Sequence, residues 1–350
     1  MAHRRRRRRS TRSTADVLEE GSDCLPNPST QPMMTDQLGD RSDEATATSP
    51  IDDGAPLATG VAVPWRRPDP RVDRLPMRRV GEPGDMQADF RLVDRLGLGG
   101  MATVDVAVQC GLERSVALKR LLPKRQERED LVQRFLREAL VLGSFEHPAI
   151  VPVYELAVDQ HDQPFYTMQI VRGRTWREII DKRSRQKNLT IFRQVAEALA
   201  HAHQYGIIHR DLKPSNIMIT ASGRVALLDW GLAAALHQDS PAFPLNAANA
   251  VCGTVGYMAP EVAAARLVKI GIASDIYQLG GLLFRLITGR PPHPVERGKE
   301  GLKLAADNVF NPVGRDEPLL RVAYLAMTTD PDERPGSVEA LLETVDVVAN

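Results

Sequence analysis

A change of residue pattern near position 90 constrains the fold of this chain more than any other feature. From Phe90 onward, apolar and polar residues alternate, as expected for half-buried strands. From Leu131 to Ser144 apolar residues recur at spacings of three and four, which predicts an amphipathic helix. The predicted strands cover residues 90–96, 102–108, 115–121, 150–158 and 165–170.

Helices dominate the sequence after Gly173. They are predicted over residues 189–204, 274–288, 318–328 and 337–348. We therefore expect an α+β domain over residues 88–350. Its smaller part, residues 88–170, carries an antiparallel sheet and one helix, and its larger part, residues 171–350, is mainly helical.

The first 87 residues have a different composition. They hold 10 of the 25 prolines and a single aromatic residue, Trp65. Such a segment buries too little apolar area to offset its ordering entropy, so we expect residues 1–87 to be a disordered tail. Its run Arg4–Arg9 could contact nucleic acid or anionic lipid. A solvated tail, or a stretch upstream of the true start codon, is the favoured interpretation, because 14 basic residues balance 14 acidic ones in the tail.

Charge and cysteine content exclude several classes of protein. Lys plus Arg equals Asp plus Glu at 45 each, so the net charge gives no argument for a nucleic-acid or membrane partner. Three widely spaced cysteines indicate neither a disulfide framework nor a zinc site. No apolar run approaches the roughly 20 residues that span a bilayer. We expect a soluble, cytoplasmic protein.

The segment His209–Asn216 carries the strongest chemical signal. Asp211, Lys213 and Asn216 place an acid, a cation and an amide within six positions of one predicted loop. These are the groups needed to transfer a phosphoryl group from ATP to a hydroxyl beside a magnesium ion. The segment therefore indicates a kinase.

A glycine-rich turn and a lysine strengthen this interpretation. The turn at Gly97-Leu98-Gly99-Gly100 would let backbone N–H groups approach a phosphate, because glycine has no Cβ. About 20 residues later, Lys119 ends the apolar strand segment Val116-Ala117-Leu118. A buried lysine needs an anionic partner, and Glu138 on the following predicted helix is well placed to supply it.

These motifs, in this order and at this spacing, resemble the eukaryotic-type (Hanks-type) serine/threonine protein kinases, in the style of the bacterial members. The resemblance covers about Phe90 to Val348. It implies a bilobal kinase fold, ATP as phosphoryl donor, Mg²⁺ or alternatively Mn²⁺ as metal, and proteins with Ser or Thr acceptors as substrates.

The resemblance also implies roles for individual residues. Asp211 would be the catalytic base, Lys213 would stabilise the transferring phosphoryl group, and Lys119 would pair with Glu138 while holding phosphates. Asn216 and Asp229 would bind the metal. The nucleotide site would be formed by Leu96, Gly97, Gly99, Val104, Ala117, Lys119, Met168, Gln169, Val171 and Met218.

Further motifs imply structural supports. Thr254 would bond Asp211 and Lys213, which favours hydroxyl amino acids as acceptors. Glu261 in an Ala-Pro-Glu segment would pair with Arg334. Asp275 would brace the catalytic loop, residues 209–216, through its backbone or through Arg210.

The chain departs from the family pattern at two places. Trp230 replaces the usual phenylalanine after Asp229, and we expect it to pack in an active-like stack on His209. Arg210 normally accompanies a phosphate on the activation segment, which runs from Asp229 to Glu261. Residues 246–252, where the family places that phosphate, offer no hydroxyl, and only Ser240 is available upstream of Thr254, about 14 residues away. We expect activation without this phosphate, with Asp239 or solvent satisfying Arg210.

Two alternatives remain at this point. A pseudokinase would bind nucleotide as a scaffold without transfer. Such proteins usually lose one of three residues, the counterparts of Lys119, Asp211 and Asp229, and all three are present here. A small-molecule phosphotransferase of the aminoglycoside or choline type shares the lobes but lacks the Ala-Pro-Glu segment. Cys252 is interpreted as a small residue that fits rather than as a redox switch.

Overall fold

The computed structural model describes residues 72–236, 242–246, 250–296, 298–314 and 316–349. Within them the predicted α+β architecture is confirmed, with a sheet-rich N-terminal lobe followed by a larger helical lobe. Two features named in the sequence analysis lie outside the described residues. They are the arginine run Arg4–Arg9, and Asp239 and Ser240 in the activation segment.

The N-terminal lobe is built on one six-stranded sheet in the order β1-β2-β3-β4-β6-β5. All neighbours are antiparallel except β1, which runs parallel to β2. One face of the sheet carries its own small apolar core, which includes Phe90, Val116 and Phe165. The strands are β1 (Val80–Gly81), β2 (Phe90–Leu98), β3 (Ala102–Gln109), β4 (Arg114–Leu121), β5 (Val153–Val158) and β6 (Pro164–Met168).

Helix α2 (Glu129–Gly143) follows the short helix α1 (Pro123–Gln126) and covers the other face of this sheet. Its apolar residues recur at helical spacing, so Phe135, Leu136 and Ala139 are buried together in the main core. Glu138 lies among them and is also buried, which sets it close to β4.

The start of the folded domain differs from the sequence prediction. Residues 72–87, which we expected to belong to the disordered tail, are ordered and contact both edges of the sheet. Met77 bridges Val158 at the end of β5, and Val80 pairs with Phe90 in β2. Gln160 exchanges two hydrogen bonds with the Val80 backbone, at 3.0 and 2.9 Å. A two-residue strand has no readable periodicity, so the sequence pattern missed it.

Three short strands, β7 (Gly173–Thr175), β9 (Ile217–Thr220) and β10 (Val225–Leu227), form a small sheet below the first lobe. A second small sheet contains β8 (Ile207–Ile208), β11 (Ala234–Ala235) and β12 (Phe243–Pro244). The helices of this lobe are α3 (Trp176–Ile179), α4 (Arg185–Gln204), α5 (Pro260–Ala263), α6 (Ile272–Thr288), α7 (Gly298–Ala306), α8 (Pro318–Ala326) and α9 (Val338–Ala349).

Helix α6 is the centre of the helical lobe. It is buried around most of its circumference, and it packs against α4, α8 and the turn at 255–257. Gly280 allows α8 to approach closely, because a Cβ there would lie 2.8 Å from Ala326 Cβ. This helix also supplies polar side chains to the candidate site described below.

The long predicted elements are confirmed to within four residues at each end. The largest difference is at α4, which was predicted from residue 189 and begins at Arg185. The strand predicted from residue 150 begins at Val153. Pro152 lacks an N–H and cannot donate to a ladder, so the strand starts after it. Among the described residues, no helix combines the length and the apolarity that a membrane crossing requires.

Candidate active site

Lys119 on β4 and Glu138 on α2 form a close ion pair. The Nζ atom donates to Oε1 at 2.6 Å and to Oε2 at 2.8 Å. Burial alone would lower the pKa of the Lys119 ammonium, but the Glu138 carboxylate, with Asp229 nearby, outweighs it and raises the pKa above its ordinary value. Lys119 is therefore a fixed cation. This pairing is the one predicted from the sequence.

Strand register brings most of the predicted nucleotide-site residues to one face of the sheet. Val104 lies opposite Gly97 on β2 and opposite Lys119 on β4, and Ala117 lies opposite Met168 on β6. Opposed residues share a face, and so do residues two apart along a strand. Lys119 also faces Tyr166, whose ring centroid lies 5.6 Å from Nζ. Sequence reasoning missed Tyr166, although its register with Lys119 follows once the strands are paired.

The remaining predicted nucleotide residues surround this face. Gly99 closes the turn between β2 and β3 by donating to Ala102 O at 2.9 Å, and Leu96 is half exposed beside it. Gln169 donates its backbone N–H to Pro152 O at 3.1 Å in the segment that links the lobes. Two residues on, Val171 is partly buried in the same segment. From the other lobe, Met218 lies opposite Thr175 on β7.

Asp211 is the centre of a hydrogen-bonded group in the catalytic loop. Its Oδ1 accepts from Thr254 Oγ1 at 2.8 Å, and its Oδ2 accepts from Asn216 Nδ2 and Lys213 Nζ, both at 3.1 Å. Lys213 Nζ also donates to Thr254 Oγ1 at 2.6 Å. The sequence prediction placed Thr254 against Asp211 and Lys213, and both contacts are present.

Side chains from α6 hold the catalytic loop through its backbone. Asp275 accepts from the backbone N–H of His209 at 2.8 Å and of Arg210 at 2.9 Å. Of the two routes considered for Asp275, the backbone contact is the one present. Gln278, one turn further along the helix, accepts from Leu212 N and donates to Arg210 O. Gln278 was missed because a glutamine inside an apolar helix gives no motif.

His203 is a third support of the loop that the sequence did not indicate. Its Nε2 lies 2.9 Å from Asp275 Oδ2. The pKa of the fully buried Asp275 is lowered, because hydrogen bonds and charge from His203 and the loop outweigh the opposing effect of burial. Asp275 therefore stays ionised and keeps the loop N–H groups satisfied.

Trp230 packs on His209, as predicted, with the two rings tilted by 57°. Its ring centroid lies 4.7 Å from that of His209 and 4.9 Å from that of Phe145, and the side chain is fully buried. Trp230 Nε1 has no hydrogen-bond partner among the described residues. The preceding Asp229 adopts a left-handed backbone with φ of 61° and is exposed.

Arg210 contacts the activation segment directly. Its Nη2 donates to Ala250 O at 2.9 Å and to Cys252 Sγ at 3.0 Å, and all three residues are buried. The predicted partner Asp239 lies outside the described residues. A backbone carbonyl and a thiol thus occupy part of the cationic pocket where the family pattern predicts a phosphate.

The activation segment is tied to the end of the helical lobe by Glu261 and Arg334. These buried side chains make two hydrogen bonds at 2.8 Å each, as the sequence predicted. Ser274 Oγ also donates to Glu261 Oε1 at 2.7 Å. The segment is therefore anchored at Glu261 and at Thr254.

The oxygen donors of the site suit a divalent metal ion. Asn216 uses its Nδ2 to donate to Asp211 O at 2.9 Å and to Asp211 Oδ2, so the amide oxygen is left as the acceptor. Together with the Asp229 carboxylate it offers two oxygen ligands. Beside phosphates, Mg²⁺ is usually held by only one or two protein ligands. The described residues contain no cluster of three or more His, Cys, Asp and Glu side chains that would hold a metal by itself.

Comparison with known proteins gives an independent assignment of the family. Residues 90–341 match the family described as the protein kinase domain. The chain is 36% identical over 236 residues to the serine/threonine-protein kinase PknD of Protochlamydia amoebophila, covering 59% of this chain and 24% of that protein.

Two further relatives are similarly close. A probable serine/threonine-protein kinase of Streptomyces coelicolor is 34% identical over 272 residues, covering 74% of this chain and 40% of the relative. The kinase PrkC of Bacillus subtilis is 38% identical over 206 residues, covering 58% of this chain and 31% of PrkC. The chain thus spans about 24% to 40% of the length of these curated relatives.

Proposed function

Because the chain belongs to the protein kinase family, we propose that it transfers the γ-phosphoryl group of ATP to serine and threonine hydroxyls of proteins. The observation that carries the proposal is the joint presence of two assembled groups. One is the ion pair of Lys119 and Glu138, and the other is the cluster of Asp211, Lys213 and Thr254. A nucleotide-binding scaffold needs the first group at most.

Asp211 acts as the catalytic base in the proposed reaction. Its carboxylate takes the proton of the acceptor hydroxyl while the hydroxyl oxygen bonds to the γ-phosphorus, and the bond from phosphorus to the β,γ-bridging oxygen breaks to leave ADP. Thr254 and Asn216 hold the carboxylate in position through the bonds at 2.8 and 3.1 Å. An oriented base requires no reorganisation during the reaction.

Two cations stabilise the phosphates. Lys213, buried beside Asp211, would neutralise charge on the transferring phosphoryl group. Lys119, fixed by Glu138, is placed to hold the phosphates of the bound nucleotide. Because the pKa of Lys119 is raised, it remains charged at every physiological pH.

The Asn216 amide oxygen and the Asp229 carboxylate would hold magnesium, or manganese in its place. When bound, the ion would neutralise negative charge on the phosphates of the nucleotide. Val104, Ala117 and Met218 would enclose the adenine, the backbone of Gln169 and Val171 would hydrogen-bond it, and Met168 would border the pocket behind it.

Transfer of label from [γ-³²P]ATP to myelin basic protein tests the proposal. We expect transfer by the wild type and a loss of about 10²-fold or more in Asp211→Asn, because asparagine is isosteric but cannot accept the proton. Nucleotide-induced thermal stabilisation should persist in Asp211→Asn, which shows that the variant is folded. If wild type and Asp211→Asn transfer label equally poorly while both bind nucleotide, the chain is a scaffold.

A further inference from the structure

A strongly basic stretch follows the segment that links the two lobes. Residues 172–187 contain seven Arg and Lys side chains against two acidic ones, a net charge of +5. The seven are Arg172, Arg174, Arg177, Lys182, Arg183, Arg185 and Lys187, and all except the half-buried Arg183 are exposed. We call this surface the basic patch.

The basic patch begins beside the catalytic loop. Arg174 lies opposite Ile219, three residues after Asn216, in the pairing of β7 with β9. The approach is close, because a Cβ at Gly173 would lie 2.3 Å from Ile219 O. Helix α3, which carries Arg177, packs on the turn at 214–216. The patch is therefore joined, through β9 and the turn at 214–216, to the loop that carries Asp211.

Neighbouring acids neutralise only part of the patch. Asp181 is already engaged by Arg285 through two bonds of 2.8 Å, and Arg185 pairs with Glu317. Arg174 and Glu178 are 4.0 Å apart and both exposed, so this pair contributes little. Arg172, Lys182 and Lys187 have no ion-pair partner in the part of the chain that the structure describes. The patch retains charge available to an acidic ligand.

The same chain contains a segment of opposite charge. Residues 13–65 carry ten Asp and Glu residues and one basic residue, Arg41, a net charge of −9. The tail is neutral as a whole, but its charges are unevenly distributed. All of its basic residues except Arg41 lie before residue 13 or after residue 65. The acidic segment also holds eleven Ser and Thr residues. It combines the charge that the basic patch attracts with the hydroxyls that the proposed reaction consumes.

We propose that the acidic segment 13–65 docks on the basic patch and is phosphorylated there on its Ser and Thr hydroxyls. The proposal rests on the proposed kinase function and names a substrate for that same site. In each event ATP supplies the phosphoryl group, the hydroxyl oxygen gains the bond to phosphorus, Asp211 takes the proton and ADP leaves. Charge complementarity selects the segment, because like-charged or neutral segments gain nothing from the patch.

Chain length permits this docking. Ser49 precedes Val72, the first described residue, by 23 positions. A chain spans at most about 3.3–3.6 Å per residue, so 23 residues can reach about 80 Å. A domain of this size has a radius of gyration of about 19 Å. The acidic segment can therefore reach the catalytic loop of its own molecule.

Charge reversal with a matched control tests the docking in the full-length chain. The patch variant is Arg172→Glu/Arg174→Glu, and the control is Lys124→Glu/Arg125→Glu, which makes the same charge change at exposed positions on α1. Each protein is incubated with [γ-³²P]ATP at low salt, and phosphates are mapped by mass spectrometry. Transfer to a neutral serine peptide is measured in parallel, with thermal unfolding to show that each variant is folded.

We expect phosphates within residues 13–65 of the wild type and a reduction of about fivefold or more in the patch variant, since each reversal removes a modest surface interaction. The control variant should match the wild type, and all three should use the neutral peptide at rates within about twofold. Added salt should slow tail phosphorylation and spare the neutral peptide.

Three results overturn the docking and leave the kinase function intact. The first is transfer to the neutral peptide without phosphates in residues 13–65, and the second is an equal effect of both double variants on the tail. The third is phosphorylation of a second copy's tail, or of an added acidic peptide, in preference to the chain's own tail. Absence of transfer to both peptide and tail would instead overturn the proposed function itself.

Discussion

The Glu261 carboxylate accepts hydrogen bonds from both terminal nitrogens of the Arg334 guanidinium, each at 2.8 Å. Both side chains are almost completely excluded from solvent. Removing one partner of such a pair leaves an uncompensated buried charge, which is far more costly than losing a surface ion pair.

Arg334→Ala should therefore lower the free energy of unfolding by about 3–5 kcal/mol. Urea unfolding of the protein measures this change. The matched control is Arg321→Ala, which breaks an ion pair with Asp316 in which both side chains are mostly exposed. We expect less than about 1 kcal/mol there. Equal effects of the two substitutions would show that the buried pair contributes no more to stability than the exposed pair.

Lys119 should remain protonated well into the alkaline range. Glu138 raises its pKa, so the stabilisation from this pair is fully present below the ordinary lysine pKa of about 10.4 and is lost only as pH rises through the higher folded value. At pH 9, an amine-selective reagent should label Lys119 much more slowly than the exposed Lys124. Glu138→Gln should speed labelling of Lys119 and leave Lys124 unchanged. Fast labelling of Lys119 in the wild type would contradict the assignment.

Activity should not require a phosphate on Ser240. Arg210 already donates to Ala250 O and Cys252 Sγ, so its pocket is partly satisfied without added charge. We expect phosphatase-treated wild type and Ser240→Ala to retain transfer rates within about twofold of the untreated protein. A loss of activity in Ser240→Ala that Ser240→Asp restores would show that this phosphate is needed.

Low pH should destabilise the domain in part through His201. Burial lowers the pKa of this imidazole, against the opposing charge of Glu146. Below the ordinary histidine pKa of about 6.5, the unfolded chain therefore binds more protons at His201 than the folded chain does. The free energy of unfolding decreases as the pH falls through this range. His201 contacts Phe145 and Tyr205, and its Nε2 has no partner within the described ranges.

His201→Phe should flatten this pH dependence. The phenyl ring suits the aromatic cluster, so stability near pH 7.5 should change little, and the difference between pH 7.5 and 5.5 should shrink. Urea unfolding at both pH values measures this. His147, whose pKa is also lowered by burial and by the charge of His201, should account for part of the remaining slope. An unchanged slope in His201→Phe would exclude His201 as a contributor.

The sequence by itself determined the long elements and the identity of the reacting groups. Periodicity is a local property, so strands β2 to β4, helix α2 and helix α6 could be predicted from apolar spacing alone. The spacing of Asp211, Lys213 and Asn216 within one loop indicated phosphoryl transfer for the same reason, since these groups lie within a few residues of each other.

The tertiary structure decided what lies far apart in sequence. Tyr166 faces Lys119 only because β6 pairs with β4, and Gln278 supports the loop only because α6 passes beneath it. The strand at Val80 exists through its pairing with β2 and has no pattern of its own. The sequence around Arg210 predicted a phosphate on the activation segment as its partner, whereas in the structure Arg210 donates to the Ala250 carbonyl and the Cys252 thiol. Such contacts arise from packing and register, which local residue patterns do not encode.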